Sequence, residues 1–359
     1  MDAEDIPRTA ENCARVRTLD QQTMPSTAPP QKRGPSSLAL WANMAVVYVV
    51  WGSTYFAIAI AIRTLPPFLM ASIRFAIAGA ILITFDLLRH PEARHWPTRR
   101  QLIDSAIVGG LLLGVGNGFV SLAERTVPSG IAAILIAMMP LWFALLGWLY
   151  LRQRLPRVVV GAIALGFLGT ALLVWPAGEG ANRFDPGGIL VLFLAPLGWA
   201  HGSIYAANKA KLPPSQFTAS GLQMLAGAAF TFVEALVVGE PALFDPSKVS
   251  VESWLAVAYL IMFGSMLAYT AYGWLLRNAP LSLVGTYAYV NPIVAVALGT
   301  VLLHEPVSVR TLVAAAIILV AVAIIVSARS RLGSSAAPGP AAEIDAPDPG
   351  RSGRSEATA

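Results

Sequence analysis

The feature that most constrains this chain is a succession of apolar runs, each about twenty residues long and almost free of charge. A helix of that length crosses the hydrocarbon core of a bilayer. Helices are favoured there because they satisfy their own backbone polar groups. The runs fall near 39–61, 67–88, 102–123, 128–150, 157–175, 187–207, 215–238, 253–276, 281–303 and 308–328, which predicts ten transmembrane helices. The breaks between them carry proline, glycine and charge, as in RTLPP (63–67), RHPEARHWPTRR (89–100), RQRLPR (152–157), GEGANRFDPGG (178–188) and KAKLPPSQ (209–216). Composition agrees: 56% of residues are hydrophobic and 13% charged, with a mean hydropathy of +0.63. Soluble domains carry about 25% charged residues.

Positive charge sets the expected orientation. With the N-terminus inside, the inner loops hold Arg89, Arg94, Arg99, Arg100, Arg152, Arg154, Arg157, Lys209, Lys211 and Arg277. The outer loops hold one each: Arg63, Arg125, Arg183, Lys248 and Arg310. Excess Lys and Arg marks the cytoplasmic side. Both termini are therefore expected in the cytoplasm, in a multi-pass protein of the cell (inner or plasma) membrane. This charge bias also accounts for the pI near 9.5, so no nucleic-acid partner is expected. The single cysteine, Cys13, excludes an internal disulfide. Residues 1–37 and 332–359 read as disordered tails, the first without the order of a cleaved signal peptide.

Two segments align without a gap: RTVPSGIAAILIAMMPLWFALLGWLYLRQRL from Arg125 and RNAPLSLVGTYAYVNPIVAVALGTVLLHEPV from Arg277. Arg125 pairs with Arg277, Pro128 with Pro280, Pro140 with Pro292 and Gly147 with Gly299. Upstream, STYFAIAIAIRTLPP (53–67) resembles SIYAANKAKLPP (203–214), which sets Arg74 near Gln223. Two copies of five spans each, 39–175 and 187–328, follow from this repeat. An odd span number inverts the second copy relative to the first, an architecture of secondary transporters with a site at the repeat interface. The fold expected is all-α and polytopic, with ten helices in two inverted five-helix repeats.

WGSTYF (51–56), IRFAIAG (73–79), VPSGIAA (127–133) and YAYVNPIVAVALG (287–299) resemble the EamA-domain branch of the drug/metabolite transporter superfamily. The resemblance covers roughly residues 40–328. It implies two inverted EamA repeats, a central cavity, and export of amino acids, related metabolites or drugs. One departure stands out: the fourth span of the second half ends in Glu305, whereas the first half has Gln153.

Ionisable residues inside a membrane are costly and mark function. Arg74, two turns into the second span, is suited to a substrate carboxylate. It is equally suited to helix-end carbonyls or to the outer surface. His201, near the centre of the sixth span, suits proton coupling, although a neutral interhelical hydrogen bond is favoured. Asp86, Glu234, Glu124 and Glu305 lie near span ends, where solvation is expected. Glu305 could also accept from a helix N-terminus. Cavity candidates among polar and aromatic residues are Trp51, Ser53, Tyr55, Asn117, Trp199, Tyr205, Gln223, Tyr269, Tyr287, Tyr289 and Asn291, while Trp96, Trp148, Trp175, Trp254 and Trp274 read as interfacial. Pro140 and Pro292 are expected to kink their helices. The asymmetry between TYAYVNP and ILIAMMP places the polar side of the site on the second half, at Tyr287, Tyr289 and Asn291.

The glycine-rich GGLLLGVGNG (109–118) and GAIALGFLG (161–169) lie inside spans and suit close helix packing. They do not form a phosphate-binding loop, which needs a strand before it and a helix after it. No nucleotide, metal or cofactor site is expected, and no catalytic residue. The leading reading is a permease that exports small metabolites or drugs by alternating access. A passive channel, or a membrane enzyme acting on lipid-linked substrates, is the alternative. The partners expected are a small-molecule substrate and the bilayer. Proton or other ion coupling, and the oligomeric state, stay open.

Overall fold

The computed structural model of the protein describes residues 36–89, 96–152, 156–174, 185–305 and 307–335. Most of both expected tails, together with Gln153 and Trp175, lies outside the described residues.

The first half contains α1 (Ser37–Ala61), α2 (Pro67–Arg89), α3 (Arg99–Gly109), α4 (Phe119–Ala123), α5 (Ser129–Ile136), α6 (Met139–Leu151) and α7 (Arg157–Val174). The second contains α8 (Pro186–Asn208), α9 (Gln216–Val237), the short α10 (Glu240–Leu243), α11 (Val251–Tyr259), α12 (Thr270–Asn278), α13 (Leu281–Val284), α14 (Tyr287–Leu302) and α15 (Val309–Ser335). No strand occurs among the described residues. Eight helical segments are long and apolar enough to cross a membrane: Ser37–Ala61, Pro67–Arg89, Arg99–Ala123, Ser129–Tyr150, Pro186–Asn208, Gln216–Val237, Val251–Asn278 and Val309–Ala328. The segments near 157–175 and 281–303 appear as shorter apolar helices, Arg157–Leu173 and Tyr287–Leu302. Large apolar side chains such as Leu168, Leu236, Leu255 and Met262 stay exposed on the bundle surface. A water-facing surface would not tolerate so many, whereas lipid chains match them.

Helix starts follow local chemistry. Thr98 and Gln101 form a capping box at α3, and Asp185, Ser215 and Ser250 cap α8, α9 and α11 through their side-chain oxygens. Such caps satisfy amide donors that the first turn leaves orphaned. Two departures from simple helix are shared by the halves. Gly110–Gly118 joins α3 to α4 as a π-helix, and Leu260–Tyr269 joins α11 to α12 in the same way. Wide turns of this kind are frequent at functional sites.

The two aligned prolines sit differently in their helices. Helix α5 ends at Ile136, and Pro140 sits in the first turn of α6, where its missing N–H costs no hydrogen bond. Pro292 lies inside α14, and the break falls earlier, at Gly285–Thr286. The aligned prolines therefore do not sit at matching breaks. The C-terminal boundary also shifts, since α15 runs to Ser335, into the stretch expected to be a tail.

Packing pairs the halves. α2 packs along α9, and α7 along α15. α1 lies against α11, the second π-helix and α14, while α8 lies against the first π-helix, α4 and α6. Each half thus lends its first helix to the third and fourth helices of the other. Gly109 shows how close this contact runs, because a Cβ there would stand 2.1 Å from the carbonyl oxygen of Gln223 on α9.

Candidate functional site

The core of the bundle holds an aromatic cluster. Trp51 of α1 meets Trp199 of α8 edge-on at 5.3 Å, Tyr272 of α12 at 4.9 Å and Tyr287 of α14 at 5.5 Å between ring centroids. These separations suit edge and tilted aromatic contacts. Their polar atoms are engaged within the cluster walls. Trp51 Nε1 donates to the Gly264 carbonyl (3.3 Å), Trp199 Nε1 to Tyr272 Oη (3.2 Å), and Tyr287 Oη to Met139 Sδ (3.1 Å).

Beside the cluster lies a cavity of about 60 Å³. Trp51, Tyr55, Arg74, Asn117, Trp199, Tyr269, Tyr287 and Asn291 line it, all expected from the sequence. Thr54, Met139 and Ser265 join them. Arg74 is 2% exposed, and it donates from Nε to Ser265 Oγ (2.7 Å) and from Nη1 to Asn117 Oδ1 (3.3 Å). With its amide oriented to satisfy both contacts, Asn291 donates to the carbonyls of Tyr287 (3.2 Å) and Tyr48 (3.0 Å). A second cavity of about 270 Å³ is lined by Gln223, Tyr269, Tyr272, Gln216 and Arg277 among others. Tyr269 lines both cavities and donates to Gln223 Oε1 at 2.7 Å.

The repeat register gives these contacts meaning. Arg74 is the eighth residue of α2, and Gln223 the eighth of α9. Moving Arg125 onto Arg277 shifts the numbering by 152, which carries Asn117 onto Tyr269. Arg74–Asn117 and Gln223–Tyr269 are therefore the same contact made once in each half. Leu113 with Ser265, and Met139 with Asn291, are further equivalent pairs on the cavity wall.

Four expected residues lie elsewhere. Ser53 hydrogen-bonds Tyr259 Oη (2.6 Å) and donates to the Val50 carbonyl (2.8 Å). Tyr289 turns to α15 and donates to the Val322 carbonyl (2.8 Å). His201 contacts Tyr150 Oη through Nε2 and the Leu197 carbonyl through Nδ1, both at 3.0 Å, and does not line the central cavity. Its rotation on α8, two residues from Trp199, turns it toward α6 instead. Tyr205 donates to Asp104 Oδ1 (2.6 Å). Asp104, fully buried, also accepts from the Lys211 amide (2.7 Å) and Arg100 Nε (2.9 Å), so it ties α3 to the segment after α8. The sequence reading missed Asp104. Its position six residues beyond the Thr98 cap, one turn beyond Arg100, was the available signal.

Carboxylates at span ends also depart from expectation. Asp86 is buried and accepts from Thr218 Oγ1, and Glu234 has one buried oxygen without a partner among the described residues. Glu305 accepts from Ser129 N (2.8 Å), Ser129 Oγ (2.7 Å) and Gly130 N (3.1 Å) at the start of α5. That matches the helix-terminus role considered for it. A positive helix N-terminus favours such a charge. Glu240 plays the same part at α2, accepting from Phe68 N (3.2 Å) and Leu69 N (2.8 Å). Burial raises its carboxyl above the usual range, while the Leu69 and Phe68 amides pull it back. Glu124 is 8% exposed, and neither of its carboxyl oxygens has a hydrogen-bond partner among the described residues. Burial first, and then the Glu305 charge, hold it well above the usual carboxylate range. Among the described residues, no group of three or more His, Cys, Asp or Glu is placed to hold a metal ion.

These features define a polytopic helical membrane protein whose two halves converge on one polar and aromatic cavity. The sequence profile of the EamA-like transporter family matches residues 38–175 and 186–327. The chain belongs to that family, within the drug/metabolite transporter superfamily. It is 38% identical over 290 residues to the inner membrane transporter YedA of Escherichia coli (strain K12), covering 80% of this chain and 90% of that one. Protein PecM of Dickeya dadantii (strain 3937) is 28% identical over 280 residues, 77% of this chain and 88% of PecM. The WAT1-related protein At3g02690, chloroplastic, of Arabidopsis thaliana is 24% identical over 295 residues, 80% of this chain and 70% of that one. A solved crystal structure superposes with a TM-score of 0.57 at 24% identity, over 83% of this chain and 99% of that chain, and supports the fold.

Proposed function

We propose that this protein is a secondary transporter of the inner membrane, exporting small metabolites or drugs by alternating access. Ten spans in two inverted repeats, 39–175 and 187–328, with both termini cytoplasmic, form its frame. The shorter helices Arg157–Leu173 and Tyr287–Leu302 complete the ten. Inner-membrane placement draws on the similarity to YedA.

One observation carries the reading. The cavity is walled by equivalent positions of the two halves, Leu113 with Ser265, Asn117 with Tyr269 and Met139 with Asn291, and the contacts Arg74–Asn117 and Gln223–Tyr269 repeat across them. A site on the axis relating inverted repeats can open to one side or the other when the halves exchange conformations. The Tyr269–Gln223 contact stands between the central cavity and the larger one beyond it, where a barrier to passage is needed.

Proteoliposomes containing the purified protein test this. Saturable counterflow of a labelled small metabolite, with unlabelled compound trapped inside, is the expected result. Uptake that rises linearly with concentration and shows no counterflow would indicate a passive channel. Comparing the media of cells with and without the protein should reveal an extruded compound.

A further inference from the structure

We infer that the molecule held in the central cavity is a monocarboxylate with an apolar body, its carboxylate received by Arg74. This rests on the transporter reading for its context, although the binding step can be tested without it.

The charge balance of the cavity is the first observation. Arg74 lines it, is 2% exposed, and among the described residues meets only neutral groups: it donates to Ser265 Oγ and Asn117 Oδ1 and lies 4.9 Å from the centre of the Phe75 ring. Among the described residues no Asp or Glu lines the cavity. The ion pairs among the described residues, Arg100–Asp104 and Lys248–Asp245, lie at helix ends and in a loop. A buried cation without a counter-charge keeps a desolvation cost that neutral partners offset only in part. A bound anion offsets it, whereas an ammonium or a metal cation adds to it.

Geometry is the second. With Nε on Ser265 and one Nη1 hydrogen directed to Asn117, donors remain on Nη1 and Nη2. Among the described residues Nη2 makes no hydrogen bond, and it lies 3.0 Å from where a Cβ on Gly264 would stand. Glycine at that position thus lets the guanidinium lie close against the backbone. A planar fork with donors on neighbouring nitrogens fits a carboxylate in two parallel hydrogen bonds. Among the described residues the lining offers no second Arg or Lys, which disfavours dicarboxylates and phosphates.

The remaining wall selects the body. Trp51, Trp199 and Tyr287 face the cavity, and their N–H and O–H groups are already satisfied within the protein. They present ring carbon to a ligand. A short apolar tail fits against these three rings better than a sugar or a polyol, whose hydroxyls find no partner on ring carbon.

The test uses the full chain in nanodiscs with radiolabelled butanoate as probe. Competitors are the unlabelled acid, its amide and butylamine, which share one body and differ in head-group charge. The wild type should bind the acid at least tenfold tighter than the amide or the amine. Arg74→Gln, which copies the residue of the second half, should erase that preference in protein that still elutes as a single species. Arg74→Lys should retain part of it, keeping the charge but not the fork. If Arg74→Gln does not fold, Ser265→Ala provides the alternative. It keeps the cation but frees its anchor, and it should weaken acid binding several-fold with little effect on the amide. Equal binding of acid and amide, no binding of the acid at millimolar concentration, or a preference unchanged in folded Arg74→Gln or Ser265→Ala would overturn the inference. Acid-selective binding without counterflow would leave it standing and remove the transporter reading. Counterflow without acid preference would do the reverse.

Discussion

The two halves of the bundle share a backbone plan and differ in what they place on it. Arg74, Asn117 and Met139 in the first half face Gln223, Tyr269 and Asn291 in the second. The contact between the second and third helices of each half is kept, but one copy uses a charged donor on an amide and the other a phenol on an amide. The cation belongs to the first half, whereas polar side chains come from both, Thr54, Tyr55 and Asn117 from the first and Ser265, Tyr269 and Asn291 from the second. Tyr287 stands where the first half has Leu135. On a near-symmetric frame, an asymmetric lining gives a ligand one preferred orientation.

The largest expected effect breaks the comparison at the helix ends. Glu305→Ala removes three hydrogen bonds at the start of α5. It leaves two amides unpaired near a positive helix terminus, at a cost of about 3 kcal/mol. Unfolding in detergent should show this, and a loss below about 1 kcal/mol would show that the tether is not a main stabiliser.

Glu124 gives a pH-dependent counterpart. Its carboxyl binds a proton more tightly in the folded protein than in the unfolded chain, because of burial and the neighbouring Glu305. Stability from this site is therefore present at low pH. It falls as pH rises above the ordinary glutamate value of 4.5 toward the raised folded value, by up to about 1.4 kcal/mol per pH unit. Glu124→Gln should flatten that slope and leave a protein more stable than wild type at the alkaline end. Parallel slopes in the two proteins would sink the assignment.

Within the site, Tyr269→Phe leaves Gln223 Oε1 without its donor, which should cost about 1–2 kcal/mol in unfolding experiments. Asn117→Ala, at the equivalent position, removes a longer contact at 3.3 Å and should cost less. A larger loss for Asn117→Ala would mean that it anchors Arg74 more firmly than the distance implies. The smallest effect is expected from Tyr287→Phe. It loses only a hydroxyl–sulfur contact, worth well under about 1 kcal/mol in stability, so any change in counterflow kinetics would report on the cavity rather than on folding.

Much of the fold was legible in the runs themselves. Eight of the segments predicted to span appear as long apolar helices, and the helix-terminus role considered for Glu305 matches its contacts. The site was legible in part. Trp51, Arg74, Asn117, Tyr269, Tyr287 and Asn291 line one cavity, while Tyr289, two residues from Tyr287, turns away to α15. On an α-helix two residues differ by about 200° of rotation, so the pair TYAY could not place both rings on one wall. Choosing between them needed the neighbour. The same holds for His201, and for Glu124, which stands at a span end where solvation was the reasonable expectation and is buried instead.

The sequence by itself determined that the chain belongs in a membrane, roughly where its helices run, and that its halves repeat. Run length, charge spacing and self-similarity are local or periodic properties, and a one-dimensional string carries them. Only the tertiary structure decided which polar groups meet. Helices apolar on every side have no hydropathic difference between the face toward lipid and the face toward protein. Their rotation is set by packing: Gly109 against Gln223, Gly264 beside Arg74, Trp51 within its ring of aromatics. From that rotation came the contact shared by the two halves, and the one cation that faces the cavity among the described residues.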